Sequence, residues 1–181
     1  MFIVLEGADG TGKSTLVSRI ANTLGCVAYA TPPKKYRQYS EKLHKDASAD
    51  QHYAFYKDAI VDASEEIRSL VSEGKTVVCD RYWISTLTYH QVMGVNAKRV
   101  DFGEILQPDL TFLLVADQDT QIERMLVRGL DAGDKRMLDQ QFELTTKLFQ
   151  NLVLHAQPFI AVDTRSFSIE ESTRLIAGMM A

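Results

Sequence analysis

The sequence predicts an α/β domain with a parallel sheet that helices cover on both faces. Short, unbroken apolar runs predict strands that are buried on both sides. They alternate with longer segments that have helical spacing or capping residues, which is the pattern of a parallel sheet. The length of 181 residues, without repeats or Gly/Ser-rich linkers, predicts one domain over residues 1–181. Five runs are predicted as strands: residues 2–5, 26–30, 76–79, 110–115 and 159–162.

Six helices are expected around these strands. The longest has apolar residues spaced alternately by four and three from Tyr56 to Leu70, and it ends at Gly74. The last begins at Ser168 with Glu171 three residues on, which predicts a capping box. The predicted helices are residues 14–24, 48–73, 83–93, 119–128, 138–154 and 168–179. In the fifth of them the expected buried stripe is Leu138, Phe142, Thr145, Phe149 and Leu152.

Composition excludes several classes of protein. With 45% hydrophobic and 24% charged residues the chain is not expected to be disordered, and no apolar run approaches the ~20 residues of a membrane span. The net charge of −4 argues against nucleic acid held by the whole surface, so a polyanionic ligand needs a local basic cluster. We therefore expect neither a nucleic-acid nor a membrane partner. The first residues do not resemble a signal peptide, and Cys26 and Cys79 are expected to be free, buried thiols in a reducing cytoplasm.

Four segments that follow predicted strands are expected to meet at one edge of the sheet. Ligands of parallel sheets bind at the carboxyl ends of the strands. The segments that should emerge there are residues 7–14, 31–37, 80–81 and 163–165.

Residues 7–14, Gly-Ala-Asp-Gly-Thr-Gly-Lys-Ser, fit the phosphate-binding pattern G-x-x-x-x-G-K-[ST]. Glycines let successive backbone N–H groups point at phosphate oxygens, and the following helix adds its positive end. Lys13 is expected to reach the β- and γ-phosphates, and Ser14 to bind Mg²⁺. The alternative is a flexible glycine-rich turn. The expected binding residues of the loop are Gly7, Gly10, Thr11, Gly12, Lys13, Ser14 and Thr15.

The segment DRYWISTLTYH at residues 80–90 resembles the DRY-x-x-S-x-x-A-Y-Q segment of thymidylate kinases. The stretches FIVLEGADGTGKST, SEGKTVVCDRY, PDL and AVDT with SIEE are also similar to that family, so the resemblance spans nearly the whole chain. It implies a P-loop NTPase fold with a five-stranded parallel sheet and a short lid at about residues 129–136. It also implies transfer of the γ-phosphoryl group of Mg-ATP to a nucleoside monophosphate, with dTMP as the expected acceptor.

The resemblance also implies roles for residues around the loop. Arg81 would hold the acceptor phosphate bidentately, and Asp80 would hold Mg²⁺ together with Ser14. Asp9 would face the acceptor, as would Ser85 and Tyr89. A surface salt bridge for Arg81 and a loop-stabilising role for Asp9 stay open as alternatives. On the ATP side the implied residues are Arg124, Thr164 and Arg165.

The lid supplies the candidate transition-state arginines. Family members with glycine at the position of Gly10 take this arginine from the lid, which makes Arg128 and Arg136 the candidates here. The alternative is that both residues lie on a solvated helix end.

Two segments depart from the family pattern. The sequence after the second strand, TPPKKYR, lacks the usual acid, and its Lys34 and Arg37 are candidate phosphate ligands or part of a solvated basic helix face. In the long helix, Tyr56 falls where the family stacks a phenylalanine on thymine. Ile60 replaces an arginine that bonds the base, so Lys57, Gln51 or another residue would read the base, or the base is not thymine.

Three functions therefore remain open. The first is a dTMP kinase that uses ATP and Mg²⁺. The second is a kinase of the same fold for another nucleotide or a deoxynucleoside, although Pro33 stands where a deoxynucleoside kinase needs a carboxylate base. The third is a catalytically weak nucleotide-binding module. A homodimer is implied by the resemblance alone.

Overall fold

The computed structural model describes residues 1–130, 132–155 and 157–180, without the side chains of residues 40–42, 44–46, 132–133 and 136. Its strands are β1 (Phe2–Glu6), β2 (Val27–Ala30), β3 (Val77–Asp80), β4 (Leu110–Val115) and β5 (Phe159–Asp163). Its helices are α1 (Lys13–Leu24), α2 (Lys34–Asp46), α3 (Ala49–Ser72), α4 (Trp83–Val92), α5 (Gln118–Arg128), α6 (Ala132–Met137), α7 (Gln141–Leu154) and α8 (Ile169–Met180). Short 3₁₀ turns lie at Arg99–Phe102 and Leu138–Gln140.

All five strands pair in parallel, in the order β2-β3-β1-β4-β5. The central strand β1 is wholly buried, and Ile3 pairs with Val78 on one side and Leu110 on the other. The predicted fold class is therefore confirmed. Because β1 leads directly into the loop at residues 7–12, the phosphate-binding motif starts from the central, wholly buried strand.

Helices cover both faces of the sheet. On one face Ile3 and Leu5 pack with residues of α1 and α8, among them Ile20 and Ile176. On the other face Phe2 and Val4 pack with residues of α3, α4 and α7, which include Ile60, Ile67, Trp83, Leu87 and Leu148. Alternate residues of one strand thus enter two separate cores, which explains why the strand is an unbroken apolar run. Among the described residues, no helix combines the length and apolar character needed to cross a bilayer.

The structure corrects four expectations. Residues 34–46 form the helix α2, and part of the expected lid loop forms the short helix α6. The predicted stripe of α7 is wrong at Phe142 and Phe149, which are 72% and 51% exposed, although Leu152 is buried as predicted. Leu144 and Leu148 are buried in their place. Both cysteines are free as expected, but only Cys79 is buried, since Cys26 lies half-exposed beside the edge strand β2.

Candidate active site

The loop between β1 and α1 depends on glycine geometry. Gly10 and Gly12 have φ angles of 78° and 90°, in the left-handed region that favours glycine. At Gly10 a Cβ atom would also lie 2.3 Å from the backbone oxygen of Gln121. Within the loop, the hydroxyl of Thr11 donates to the carbonyl oxygen of Ala8 at 2.9 Å. The loop is therefore packed tightly against α5, and only glycine fits at position 10.

Lys13 is the first residue of α1 and is buried in the loop. Its ammonium group donates to the carbonyl oxygen of Ala8 at 2.6 Å. Burial lowers the pKa of Lys13 to about 8, and Arg81 adds to this effect while Asp9 opposes it. An anionic ligand beside this ammonium group would favour its charged form. Lys13 is thus poised to bind a phosphate.

Ser14 and Asp80 fit a magnesium ion. The Ser14 hydroxyl donates to Oδ2 of Asp80 at 2.5 Å. The other carboxylate oxygen of Asp80, Oδ1, is buried and has no hydrogen-bond partner among the described residues. A hydroxyl beside an unsatisfied carboxylate oxygen offers the hard oxygen ligands that Mg²⁺ prefers. Among the described residues there is no group of three or more His, Cys, Asp or Glu side chains that could hold a metal. A site with few protein ligands is typical of Mg²⁺ that also binds phosphates.

Arg81 lies directly after β3, with a φ of 64° that few non-glycine residues adopt. Its Nη1 donates to the carbonyl oxygen of Gly7 at 3.0 Å and to the Ser85 hydroxyl at 3.2 Å. Its Nη2 forms a short ion pair with Asp9, and the guanidinium lies 4.7 Å from the ring centroid of Tyr89. These contacts hold Arg81 over the mouth of the loop.

Asp9 is held from three directions. Its carboxylate contacts Arg81 and accepts from the Tyr89 hydroxyl at 2.8 Å, and its backbone N–H donates to Oε1 of Gln141 at 3.0 Å. Gln141 is fully buried and donates in turn to the carbonyl oxygen of Met137 at 2.9 Å. Burial alone would raise the pKa of Asp9, but Arg81 and Lys13 outweigh it and hold that pKa below its ordinary value. Asp9 is therefore ionised at neutral pH.

Two cavities meet at this point. The larger, of about 940 Å³, is lined by the loop, Ser14, Asp80, Arg124, Arg128, Thr164 and Arg165, among others. The smaller, of about 220 Å³, is lined by residues that include Thr31, Pro32, His52, Tyr56, Ser85, Thr86, Tyr89 and His90. Asp9, Arg81 and Asp134 line both cavities. The arrangement can therefore hold a phosphate-bearing donor in the first cavity and an anionic acceptor in the second.

Arg124 and Arg128, one turn apart on α5, have different partners. Arg124 donates to the Thr164 hydroxyl at 3.1 Å and to the Thr164 carbonyl oxygen at 2.8 Å. Arg128 donates to both oxygens of Asp134, each at 2.7 Å. Asp134 belongs to α6 and is buried. The side chain of Arg136 lies outside the described residues, so its predicted role stays a prediction.

Comparison with known proteins identifies the family. A profile of the family described as thymidylate kinase matches residues 5–176. The chain is 33% identical over 168 residues to a thymidylate kinase of Desulfotalea psychrophila, covering 83% of this chain and 80% of the relative. It is 32% identical over 142 residues to a probable thymidylate kinase of Archaeoglobus fulgidus, covering 71% of each chain. The chain belongs to the thymidylate kinase family.

The fold is also that of a solved nucleoside kinase. A deoxyadenosine kinase from M. mycoides, solved with dCMP and a flexible dCDP bound, superposes with a TM-score of 0.76. The alignment covers 99% of this chain and 98% of that chain at 19% sequence identity. At this identity the likeness carries the fold alone.

The structure brings most of the expected site residues of this thymidylate kinase family member to the two cavities. Residues 9–15 of the loop segment line the larger cavity, and Tyr56, Ser85 and Tyr89 line the smaller one, whereas the predicted Gly7 lines neither. Lys34 and Arg37 are exposed on α2 and line neither cavity. Arg37 donates to the carbonyl oxygen of Pro32 at 3.4 Å.

The residues that the sequence analysis considered for recognition of the base do not line the smaller cavity. Ile60 is buried in the core rather than in a cavity. Gln51 forms the capping box of α3 with Ser48, and Lys57 contacts Asp58 at 3.6 Å. Neither Gln51 nor Lys57 lines the smaller cavity. The aromatic and polar groups present there instead include His52 and His90, for which the sequence analysis assigned no role.

Glu6 is a third residue that sequence reasoning missed. It ends β1, is fully buried, and accepts hydrogen bonds from the backbone N–H groups of Tyr82 and Ser85 at 3.0 and 3.3 Å. It also bonds the Ser85 hydroxyl at short range. Burial raises the pKa of Glu6 to about 7 despite these bonds. The signal was an acid at the end of an otherwise apolar strand, because such a group needs several donors when buried.

The segment DRYWISTLTYH also departs from DRY-x-x-S-x-x-A-Y-Q, at Thr88 and His90. Thr88, where the family has alanine, is buried, and its hydroxyl accepts from the Asn151 side chain at 2.9 Å. This bond joins α4 to α7.

Proposed function

We propose that the protein transfers the γ-phosphoryl group of ATP to dTMP, which gives ADP and dTDP. Family membership supports the reaction class and the acceptor. The observation that carries the proposal is the position of Arg81 and Asp9 on the boundary of the two cavities. A guanidinium at that boundary can present an acceptor phosphate to a triphosphate held by the loop.

The larger cavity would hold ATP. The backbone N–H groups of the loop and the N-terminus of α1 suit the β- and γ-phosphates, and Lys13 would neutralise their charge. Ser14 and Asp80 would hold Mg²⁺, which when bound screens the phosphate charges. Arg124 and Thr164 lie on the wall of this cavity, where the nucleoside would bind.

The smaller cavity would hold the monophosphate. Arg81 can donate to two phosphate oxygens at once, which fixes the direction from which the acceptor oxygen approaches the γ-phosphorus. Ser85 and Tyr89 hold Arg81 and Asp9 in place by hydrogen bonds. Phosphoryl transfer has little covalent chemistry for the protein to perform, so this positioning and charge neutralisation are the main contributions of the chain.

Arg128 would stabilise the transferring phosphoryl group, with Arg136 as the other candidate. It lines the cavity already, but its guanidinium is bound by Asp134. Binding of ATP offers phosphate oxygens that compete with that carboxylate. In this proposal residues 129–136 act as a lid, and closure of the lid moves Arg128 from Asp134 to the γ-phosphate.

Four further properties belong to the proposal. They are the use of Mg²⁺, one domain over residues 1–181, a homodimer and a cytoplasmic location. The dimer rests on the family resemblance, and sedimentation of the purified chain would test it.

ADP formation from ATP tests the function. The panel consists of dTMP, dUMP, dCMP, dAMP, the deoxynucleosides thymidine and deoxyadenosine, and no acceptor, each with and without Mg²⁺. We expect the fastest ADP formation with dTMP. Preference for a deoxynucleoside would support the alternative acceptor class. The structure argues against that class, because the residues after β2 that line the smaller cavity, Thr31 and Pro32, offer no carboxylate base. ADP formation at the same rate with and without an acceptor, or no ADP formation at all, would overturn the proposal.

A further inference from the structure

Arg81 is fastened to three successive residues at the end of β1. Its backbone N–H donates to the carbonyl oxygen of Leu5 at 3.0 Å, and its Nη1 donates to the carbonyl oxygen of Gly7 at 3.0 Å. The residue between them, Glu6, reaches Arg81 through the Ser85 hydroxyl, which accepts from Nη1 at 3.2 Å and bonds Oε2 of Glu6. Because these three residues run directly into the phosphate-binding loop, the contacts tie the arginine of the acceptor side to the loop of the donor side.

Glu6 also holds the turn that carries Arg81. Arg81 has a φ of 64° and lies just before α4. The N-cap residue of α4, Tyr82, makes no capping bond with its own side chain. Oε1 of Glu6 takes that role, because it accepts from the backbone N–H groups of Tyr82 and Ser85 at 3.0 and 3.3 Å. One oxygen of Glu6 therefore caps the helix, and the other faces the Ser85 hydroxyl.

The hydrogen bonds of Ser85 have a fixed direction. A guanidinium can only donate, so Oγ of Ser85 accepts from Arg81. An ionised carboxylate can only accept, so the single proton of the Ser85 hydroxyl points at Glu6. Glu6 thus determines which side of the hydroxyl oxygen is offered to Arg81, and it does so from a position that lines neither cavity.

We propose that Glu6 is a positioning residue for phosphoryl transfer, which holds Arg81 toward the acceptor phosphate through the Ser85 hydroxyl. This inference rests on the proposed function. Glu6 contacts neither substrate in it and acts on the orientation of the guanidinium. Its loss should therefore weaken the use of the acceptor and leave the binding of ATP unchanged.

The substitution Glu6→Gln separates the two tasks of the carboxylate. The amide oxygen can still cap α4, whereas the amide nitrogen turns a donor toward Ser85, whose Oγ then faces two donors. The reverse orientation would set the amide NH₂ against two backbone N–H groups. At pH 8.5, above the pKa of about 7 of Glu6, and with saturating ATP, kcat/KM for dTMP should fall by about tenfold. Equilibrium affinity for ATP should stay unchanged.

Stability is the readout that excludes a merely structural role. Glu6→Gln removes a buried charge and keeps the shape of the side chain, so urea unfolding at pH 8.5 should show a protein at least as stable as the wild type. Glu6→Asp is the second variant. It keeps the charge but draws the carboxylate back from the Ser85 hydroxyl, so it should show the same selective loss for dTMP, and it supplies the measurement if Glu6→Gln does not fold.

A double-mutant cycle tests the route through Ser85. Ser85→Ala should also reduce kcat/KM for dTMP by about tenfold. If Glu6 acts through Ser85, the variant with both Glu6→Gln and Ser85→Ala should lose about as much as each single variant, rather than the roughly hundredfold of two independent effects. Thr173→Val is the matched control, because it removes a buried hydroxyl on α8 that donates to the carbonyl oxygen of Ile169 at 2.7 Å. It should leave kcat/KM for dTMP unchanged.

The outcomes separate this inference from the proposed function. A wild-type protein that prefers dTMP, with wild-type kcat/KM in Glu6→Gln, would overturn the role of Glu6 and leave the function intact. A roughly hundredfold loss in the double variant, or an equal loss of ATP affinity in Glu6→Gln, would also overturn that role. A wild-type protein that prefers another acceptor would overturn the proposed function, and the same variants assayed with that acceptor would still test Glu6.

Discussion

The two cavities that meet at Arg81 are built in different ways. The larger cavity is built around one continuous segment, residues 9–16, and in the proposed function its backbone, Lys13 and Ser14 would do most of the binding. The smaller cavity is assembled from side chains of the loop, α3, α4 and the segment after β2. The first therefore suits a ligand part that all nucleoside triphosphates share. The second can vary in its specificity while the first stays fixed.

The largest effect is expected when the charge of Lys13 in the phosphate-binding loop is removed. In Lys13→Ala the triphosphate loses its buried ammonium partner, so kcat/KM for ATP should fall by about a thousandfold. Initial rates of ADP formation at varied ATP concentration measure kcat/KM, and equilibrium binding measures the affinity for ATP. Lys75→Ala is the matched control, because Lys75 pairs with Glu73 on the surface and should leave both values unchanged. If folded Lys13→Ala protein bound ATP with wild-type affinity, the loop would not be the site that binds the donor.

The next largest effect is expected at Arg81, on the boundary between the two cavities. Arg81→Lys keeps a charge but loses the fork that reaches Gly7, Ser85 and Asp9, so kcat/KM for dTMP should fall by about a hundredfold. ATP affinity should change far less, which distinguishes the two cavities. Arg68→Lys, a substitution on the exposed face of α3, provides the control. An equal loss of ATP affinity would show that Arg81 serves the donor as much as the acceptor.

Glu6, which lies beneath the acceptor side of the site, should make the stability of the protein depend on pH. Its pKa is raised from 4.5 to about 7 in the folded chain, so the folded state keeps a proton that the unfolded state has lost between these values. Stability therefore falls as pH rises through this window, by about 3 kcal/mol. Urea unfolding between pH 4 and 8 should show this decline in the wild type, and a flatter profile in Glu6→Gln. Parallel profiles for the two proteins would be evidence against the raised pKa.

The smallest effect concerns the fit of the loop on α5. Gly10→Ala adds a Cβ 2.3 Å from the Gln121 backbone oxygen at a φ of 78°, which should cost about 2 kcal/mol of stability. Gly178→Ala is the matched control, because a Cβ there meets no atom within 4 Å. Thermal unfolding of both variants compares them. Equal melting temperatures would mean that the loop adjusts without strain.

The same contrast explains what the sequence could predict. The donor loop is a contiguous motif whose spacing encodes its geometry, and each of the five strands is a local apolar run. The acceptor side is not local: His52 and His90 are 38 positions apart and meet only because α3 packs on α4. No periodicity links such a pair, and the role of Glu6 depends equally on donors from a distant segment.

Two errors have the same physical origin. The stripe of α7 was assigned by apolar spacing, but the direction in which a helix faces depends on its neighbours, and α7 turns Gln141 and Leu144 inward. The helix α2 was not among the predicted helices and was left open only as a solvated basic helix face, because residues 34–46 carry a largely polar, basic sequence. Its Lys35 instead pairs with Asp62 and Glu66 on α3, at 2.8 and 3.2 Å.

Gln141 has a consequence for how the proposed lid would close. Its side chain bridges the carbonyl oxygen of Met137 and the backbone N–H of Asp9, so the start of α7 is fastened to the phosphate loop. A segment that swings over a bound nucleotide must therefore pivot ahead of this residue, while everything behind it stays in register with the loop. Amide hydrogen exchange should accordingly change on nucleotide binding up to the hinge at Gln141 and much less along the helix that follows.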